Sequence, residues 1–462
     1  MMSETEVLAN YVARANYKDL PTDVIRHAKE SISDTIACGL GGRKSLEGDI
    51  LIRLMKDIGG KAESTVFGEK TRLSFTQAAQ VNSVLANILD YDDTLIKIGH
   101  MGSMLVPVAL SIGERFNASG KDVINSIVLG YEVIIRLRKA VEPSEEAFWK
   151  TFERVGSGIH FGVTVVAGKL MGLNGGQIAD AFGLTGYVRA SRVALPDTAS
   201  KGMPRWMKVT QGDLTIPGIH AALLAKEGFL GDRGIFDQDR GYEVTVGSDC
   251  YDAKKLTENL SKKYGMLRVG YKFYPSCRHI SATLDAVVSI VSENQLMIED
   301  IKQIIVRVQN WVAHNFAIYE PVHMIQAQFS IPYAVSMVLM EESPGPGWYT
   351  EEMLRNPKAR ELQHKVKIEG DPALTRKYYV ENKYASKVEI VTKEGRRFKK
   401  DVDFPKGVPE NPFTLQDHRN KLSNMASWLG IKQIQIEELI QRLEKFEELE
   451  TLAELTHLLV PQ

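Results

Sequence analysis

The spacing of apolar residues constrains this chain more than any motif does, because it changes twice along the sequence. Up to about residue 265, apolar positions recur every three or four residues, the period of a helix with one buried face. Ile25, Ala28, Ile32 and Ile36 form one such stripe, after a Pro21-Thr22-Asp23 start signal and before Gly39, Gly41 and Gly42. Similar stripes run from Val123 to Leu137, Gly162 to Leu173 and Ile216 to Leu224. Near residue 268 the pattern shifts. Gln303 to Gln309 is β-rich, and Lys387 to Thr392, followed by Lys393-Glu394-Gly395 and a basic run, reads as a hairpin. Ser281 to Val291 and Phe329 to Met340, on either side of the first strand, read as helices. After Pro405, Pro409 and Pro412, helix resumes at Thr414-Leu415-Gln416-Asp417, and a charged amphipathic stretch runs from Gln433 to Leu459. The pattern predicts a mainly α fold: an all-helical domain from residues 1–267, completed by C-terminal helices in 403–462, with an inserted α+β lid domain at 268–402.

Several functions are disfavoured at this level. Lys plus Arg number 57 against 58 Asp plus Glu, so no global field attracts nucleic acid or an acidic membrane surface. No window approaches eighteen unbroken apolar residues, and Met1 to Glu6 has neither a basic nor an apolar signal region. Cys38, Cys250 and Cys277 are too scattered for a disulfide framework or a CxxC metal site, which fits a reducing, cytoplasmic setting. The histidines form no pair at metal-ligand spacing, so no metal is expected. Gly39-Leu40-Gly41-Gly42-Arg43-Lys44-Ser45 follows a helix rather than a strand, and reads as a helix stop rather than a phosphate loop.

The chemistry is concentrated in two places. Leu89-Asp90-Tyr91-Asp92-Asp93-Thr94, with His100 six residues on, ends the helical stripe of Val81, Val84, Leu85, Ile88 and Leu89. Local sequence fits a solvated helix end, but the apolar run Met104 to Leu110 beyond it argues for a site between buried elements, where charges need compensation. If the helix continues one turn, Asp90 shares a face with Asp93 and Thr94, while Asp92 points elsewhere. The acids match the D-x-D-x-T pattern of aspartyl-phosphate phosphatases, but they follow a helix and not a strand. They are also similar to the magnesium motif of helical terpene synthases, but Ile96 stands where its last carboxylate belongs.

The second place is Tyr271-Lys272-Phe273-Tyr274-Pro275-Ser276-Cys277-Arg278-His279, at the expected domain junction. Lys272, Arg278 and His279 suit carboxylate recognition, although an ordinary polar linker reads the same. Lys208 alone reads as a surface lysine, and Tyr333 alone as core.

Taken together, the Asp34-Thr35-Ile36-Ala37 helix, the Leu89 to Thr94 motif with His100, Ala167 to Leu173, Tyr274 to His279 and Gln328 to Tyr333 resemble the MmgE/PrpD family. That family includes 2-methylcitrate dehydratases, cis-aconitate decarboxylases and iminodisuccinate epimerases. The resemblance implies a homodimer with its site in an interdomain cleft, no metal and no organic cofactor. It also implies that Asp90, Thr94, His100, Lys208 and Tyr333 line the site. The chain departs from the family pattern where Asn87, Met101, Glu153 and Ser281 stand in place of usual family residues, and the ungapped position of the family lysine is Met207, next to Lys208.

The combined expectation is a lyase, dehydratase- or decarboxylase-like, that transfers a proton next to a carboxylate of a small polycarboxylate. His100 would serve as base or acid and Asp90 would orient it. Thr94 and Asp93 would contact substrate, and Lys208, Lys272 and Arg278 would hold carboxylates. An epimerase, with Tyr333 or His279 as second acid, and a non-catalytic carboxylate-binding protein are the alternatives.

Overall fold

The computed structural model of the chain describes residues 2–147, 158–188, 208–238 and 240–462. It is mainly helical, with a small α+β portion. The helix Thr22–Gly42 lies at the centre of the body and packs on both Phe75–Asn87 and Leu415–Leu429, so the last part of the chain rests on the first. Phe75–Asn87 in turn packs on Gly102–Phe116, and Ile159–Leu170 fills in against Gly120–Ala140 and Ile216–Lys226.

Local sequence explains these helices. Ser74 caps Phe75–Asn87 through the Gln77 N–H while the Gln77 side chain accepts from Ser74, a reciprocal arrangement that satisfies two orphan donors. The stripe of Val81, Val84, Leu85, Ile88 and Leu89 is buried. The glycines at the end of Thr22–Gly42 lie inside that helix and serve its packing. A Cβ on Gly42 would stand 2.1 Å from the Leu85 carbonyl oxygen, so only glycine lets the two helices cross this closely.

The α+β portion holds a four-stranded sheet in the order Val366–Gly370, Ile301–Val308, Ser386–Thr392, Arg397–Val402. The first pair is parallel and the others antiparallel. The hairpin expected at Lys387 is present, turning at Gly395 with φ +87°. Val366–Gly370 was not anticipated, although Val366 and Ile368 do alternate with charged residues. Arg278–Glu293 packs on the two antiparallel strands of the hairpin. The stretch from Gln433 is not one long amphipathic element: the helix ends at Glu444, and short turns at Phe446–Glu448, Ala453–Thr456 and His457–Leu459 follow. Ser64–Thr65 and Arg72–Leu73 form a small ribbon within the helical body.

Candidate active site

The acidic motif takes its shape from where its helix stops. Phe75–Asn87 does not continue through the acids, and Asp90 adopts a left-handed backbone with φ +51°. Helical face geometry therefore does not apply, and the expectation that Asp92 points away from Asp90 is overturned. Both carboxylates converge on His100: Asp92 Oδ1 lies 3.0 Å from Nδ1, and Asp90 Oδ1 lies 3.5 Å from Nε2. Asn87 donates from Nδ2 to both Asp92 oxygens at 3.0 Å.

Two lysines from distant segments close on Asp90. Lys208 Nζ lies 2.5 Å from Oδ1, and Lys272 Nζ lies 3.0 Å from Oδ2 and 2.5 Å from the Asp90 carbonyl oxygen. Asp90, Asp92, Lys208 and Lys272 are all buried, whereas the His100 side chain keeps 22% of its surface, so a ligand meets the imidazole first. Burial pushes the Asp90 carboxyl up, but Lys208, Lys272 and His100 outweigh it and hold the group well below the usual carboxylate range. Asp92 is held low in the same way, with His100 the leading cation. The result is a pair of fixed anions, two fixed cations and one accessible imidazole.

The remaining expected residues are placed differently. Asp93 turns away from His100, against the expectation that it contacts substrate: Oδ2 accepts from Tyr131 Oη at 2.7 Å and Oδ1 accepts the Gly102 N–H at 2.9 Å, capping Gly102–Phe116. Thr94 pairs through its backbone with Gly270 at 2.8 and 2.9 Å, and its hydroxyl oxygen accepts from Arg278 Nε at 2.9 Å. That bond leaves the Thr94 hydroxyl proton available to an acceptor. Arg278 also donates Nη1 to the Lys406 carbonyl at 3.3 Å, while its buried Nη2 has no hydrogen-bond partner among the described residues. Arg278 thus does not converge with the two lysines, whose common anion is the chain's own Asp90.

Tyr333 is buried on Ile331–Leu339 and donates its hydroxyl to the Trp348 carbonyl, so that proton is committed. His279 lies in the α+β portion, bonded to Gln309 at 2.7 Å and ringed by Trp311, Phe316, Tyr378 and Tyr384; burial, then Lys272, lowers its pKa to about 3. Ser281 is buried, and its hydroxyl has no hydrogen-bond partner among the described residues. Glu153 and Met207 lie outside the described residues.

Sequence reasoning gave Asp92 and Asn87 no role in the site and passed over Lys421. Asn87 is marked by its place one turn before the acids and by its departure from the family pattern, and nothing in the sequence marks Lys421, which approaches the motif from 330 positions away. Asp90, Asp92 and His100 each offer one ligand atom within 4.8 Å of the others. They do not suit a divalent ion, because both Asp90 oxygens already face ammonium groups that would repel it.

A predominantly helical chain with this acid, imidazole and lysine cluster has the makings of a proton-transfer site. The MmgE/PrpD N-terminal domain matches residues 6–251, and the MmgE/PrpD C-terminal domain matches residues 274–445. The chain belongs to the MmgE/PrpD family. It is 26% identical over 477 residues to cis-aconitate decarboxylase from Homo sapiens, covering 99% of this chain and 95% of that one. To cis-aconitate decarboxylase from Aspergillus terreus it is 21% identical over 487 residues, covering 98% and 95%. These relatives support a lyase-type enzyme. No helix among the described residues is long and apolar enough to cross a membrane.

Proposed function

We propose that this chain is a lyase that decarboxylates a small unsaturated tricarboxylate of the cis-aconitate type by proton transfer next to a carboxylate. The observation that carries the reading is the partly exposed His100 imidazole, with Nδ1 3.0 Å from Asp92 Oδ1, beside the Asp90, Lys208 and Lys272 cluster. Loss of carbon dioxide breaks a C–C bond and leaves its electron pair delocalised over an allylic carbanion, next to a second carboxylate. Protonation at the far carbon of that allyl system completes the reaction. His100 Nε2–H is the donor in this reading. The two lysines and the Thr94 hydroxyl offset the developing enolate-like charge in a site where little water screens it. Asp92, 3.0 Å from Nδ1, stabilises the charged imidazole by its proximity. No step calls for an organic cofactor.

Dehydration uses the same proton transfer with a hydroxyl leaving group, and the weak identity to any one relative leaves substrate choice to experiment. Incubation in D2O with cis-aconitate, citrate-like hydroxyacids and dicarboxylates, followed by NMR and carbon dioxide detection, tests the reading. Carbon dioxide release with one deuterium in the product is expected. Deuterium exchange without loss of carbon dioxide or water would identify an epimerase, and binding without turnover would identify a carboxylate-binding protein; either result overturns the proposal. The reading includes a cytoplasmic homodimer, and light scattering on the purified chain measures its mass in solution.

A further inference from the structure

We propose that Lys421, near the C-terminal end of the chain, is a positioning residue that sets the geometry of Asp90, Asp92 and Lys272. This rests on the site reading above. Lys421 lies on Leu415–Leu429, 5% exposed, and its ammonium is 2.6 Å from Asp34 Oδ1, 2.7 Å from the Tyr91 carbonyl and 3.2 Å from the Lys272 carbonyl. An ammonium has three N–H donors, and here three acceptors from three separate segments take them all. Its Nζ also lies 3.9 Å from the Tyr91 ring centroid.

Two of those acceptors matter for chemistry. Tyr91 is the residue between the two carboxylates that face His100, and Lys272 carries the ammonium on Asp90. Asp90 has a left-handed backbone with φ +51°, so this loop is held by its surroundings and not by helical bonds. Lys272 holds the carbonyl of Asp90 and Lys421 holds the carbonyl of the next residue. One buried charge thus fixes the loop and the lysine segment relative to each other, with Asp34 of the central helix as its counter-ion. A small displacement of either segment would spoil the approach of His100 to substrate.

The test separates positioning from bulk stability. Lys421→Met alone leaves the Asp34 carboxyl buried without its cation and is expected to destabilise the fold. The double variant Asp34→Asn with Lys421→Met removes both charges, so melting should recover toward wild type while the clamp stays lost. For that protein we expect kcat on cis-aconitate to fall about 10- to 100-fold with KM changed by less than about threefold. The NMR titration of the His100 imidazole, followed in histidine-labelled protein, should also shift. Wild-type kcat and an unchanged His100 titration in the folded double variant would overturn the proposal. Should that variant fail to fold, Lys421→Arg keeps the charge but not the three convergent donors: lowered kcat and a moved His100 signal support the proposal, and wild-type behaviour overturns it. If the wild-type chain does not turn over cis-aconitate, the functional reading fails, and the His100 titration alone then decides the role of Lys421.

Discussion

His100 Nδ1 lies 3.0 Å from Asp92 Oδ1, closer than Nε2 lies to Asp90, the carboxylate that the motif first suggests as its partner. In the proposed reaction Asp92 stabilises charge on the Nδ1 side of the ring by proximity, and Nε2 is the nitrogen that exchanges protons with a ligand. Asp90, at 3.5 Å from Nε2, is instead saturated by two ammonium groups.

Asp92→Asn keeps the size of the side chain but removes the charge beside Nδ1. We expect kcat to fall roughly 100-fold or more, with the fold retained. His100→Gln should lower turnover by at least a similar factor. Steady-state kinetics on folded protein, checked by circular dichroism, measures both. Full activity in either variant would remove the charge argument.

Asp90→Asn tests the lysine cage. With the anion gone, Lys208 and Lys272 are left as neighbouring buried cations, and loss of one partner of a buried pair costs about 3–5 kcal/mol. Adding Lys208→Met should restore part of that loss without restoring activity. Because the Asp90 carboxyl is held low in the fold, its contribution is present above the unfolded pKa and is lost as pH falls into the acid range. Denaturant titration of the single and double variants gives the comparison.

Asp93 has the opposite sign. Burial, then the nearby Asp92 charge, raises its carboxyl to about 7, so the folded chain binds this proton more tightly than the unfolded one. The stability it contributes is full below about pH 4, the unfolded value, and is lost as pH rises toward about 7. Asp93→Asn should keep the Gly102 cap and remove this slope. The difference between wild-type and variant stability at about pH 5 and about pH 8 isolates the group. An unchanged difference would mean that Asp93 is ionised in the fold throughout.

Arg278→Lys should lower stability by about 1–3 kcal/mol, because the fork to Thr94 Oγ1 and the Lys406 carbonyl cannot be reproduced by one ammonium. Its Nη2, without a hydrogen-bond partner among the described residues, is the atom left to a ligand. Melting and tricarboxylate affinity measured on the same variant separate the two roles: a stability loss with unchanged affinity retires Arg278 as a ligand.

Much of the fold was legible because helices announce themselves locally. The buried stripe at Ile25, Ala28, Ile32 and Ile36 and the return of helix at Thr414 are consequences of periodicity and capping, which need no distant partner. The hairpin at Lys387 was equally plain. Val366–Gly370 was missed because it is a five-residue strand whose pairing with Ile301–Val308 is parallel and comes from a distant part of the sequence. Gln433 to Leu459 kept a helical pattern that the structure breaks after Glu444.

The sequence by itself determined that Asp90, Asp92, Asp93 and Thr94 lie together, since adjacent residues cannot be far apart, whereas His100, ten residues from Asp90, is brought back by the turn that pairs Leu95 with Gly99. It did not determine which of them meet. That was decided by the left-handed turn at Asp90, which cancels the helical face and sends Asp92 to His100 and Asp93 to Gly102. Lys208, Lys272 and Lys421 reach the motif from positions 118, 182 and 330 residues away along the chain. Pairwise electrostatics can favour such contacts once the chain has folded, but no local pattern encodes them, because charge compensation in a buried site depends on where packing brings the opposite charge.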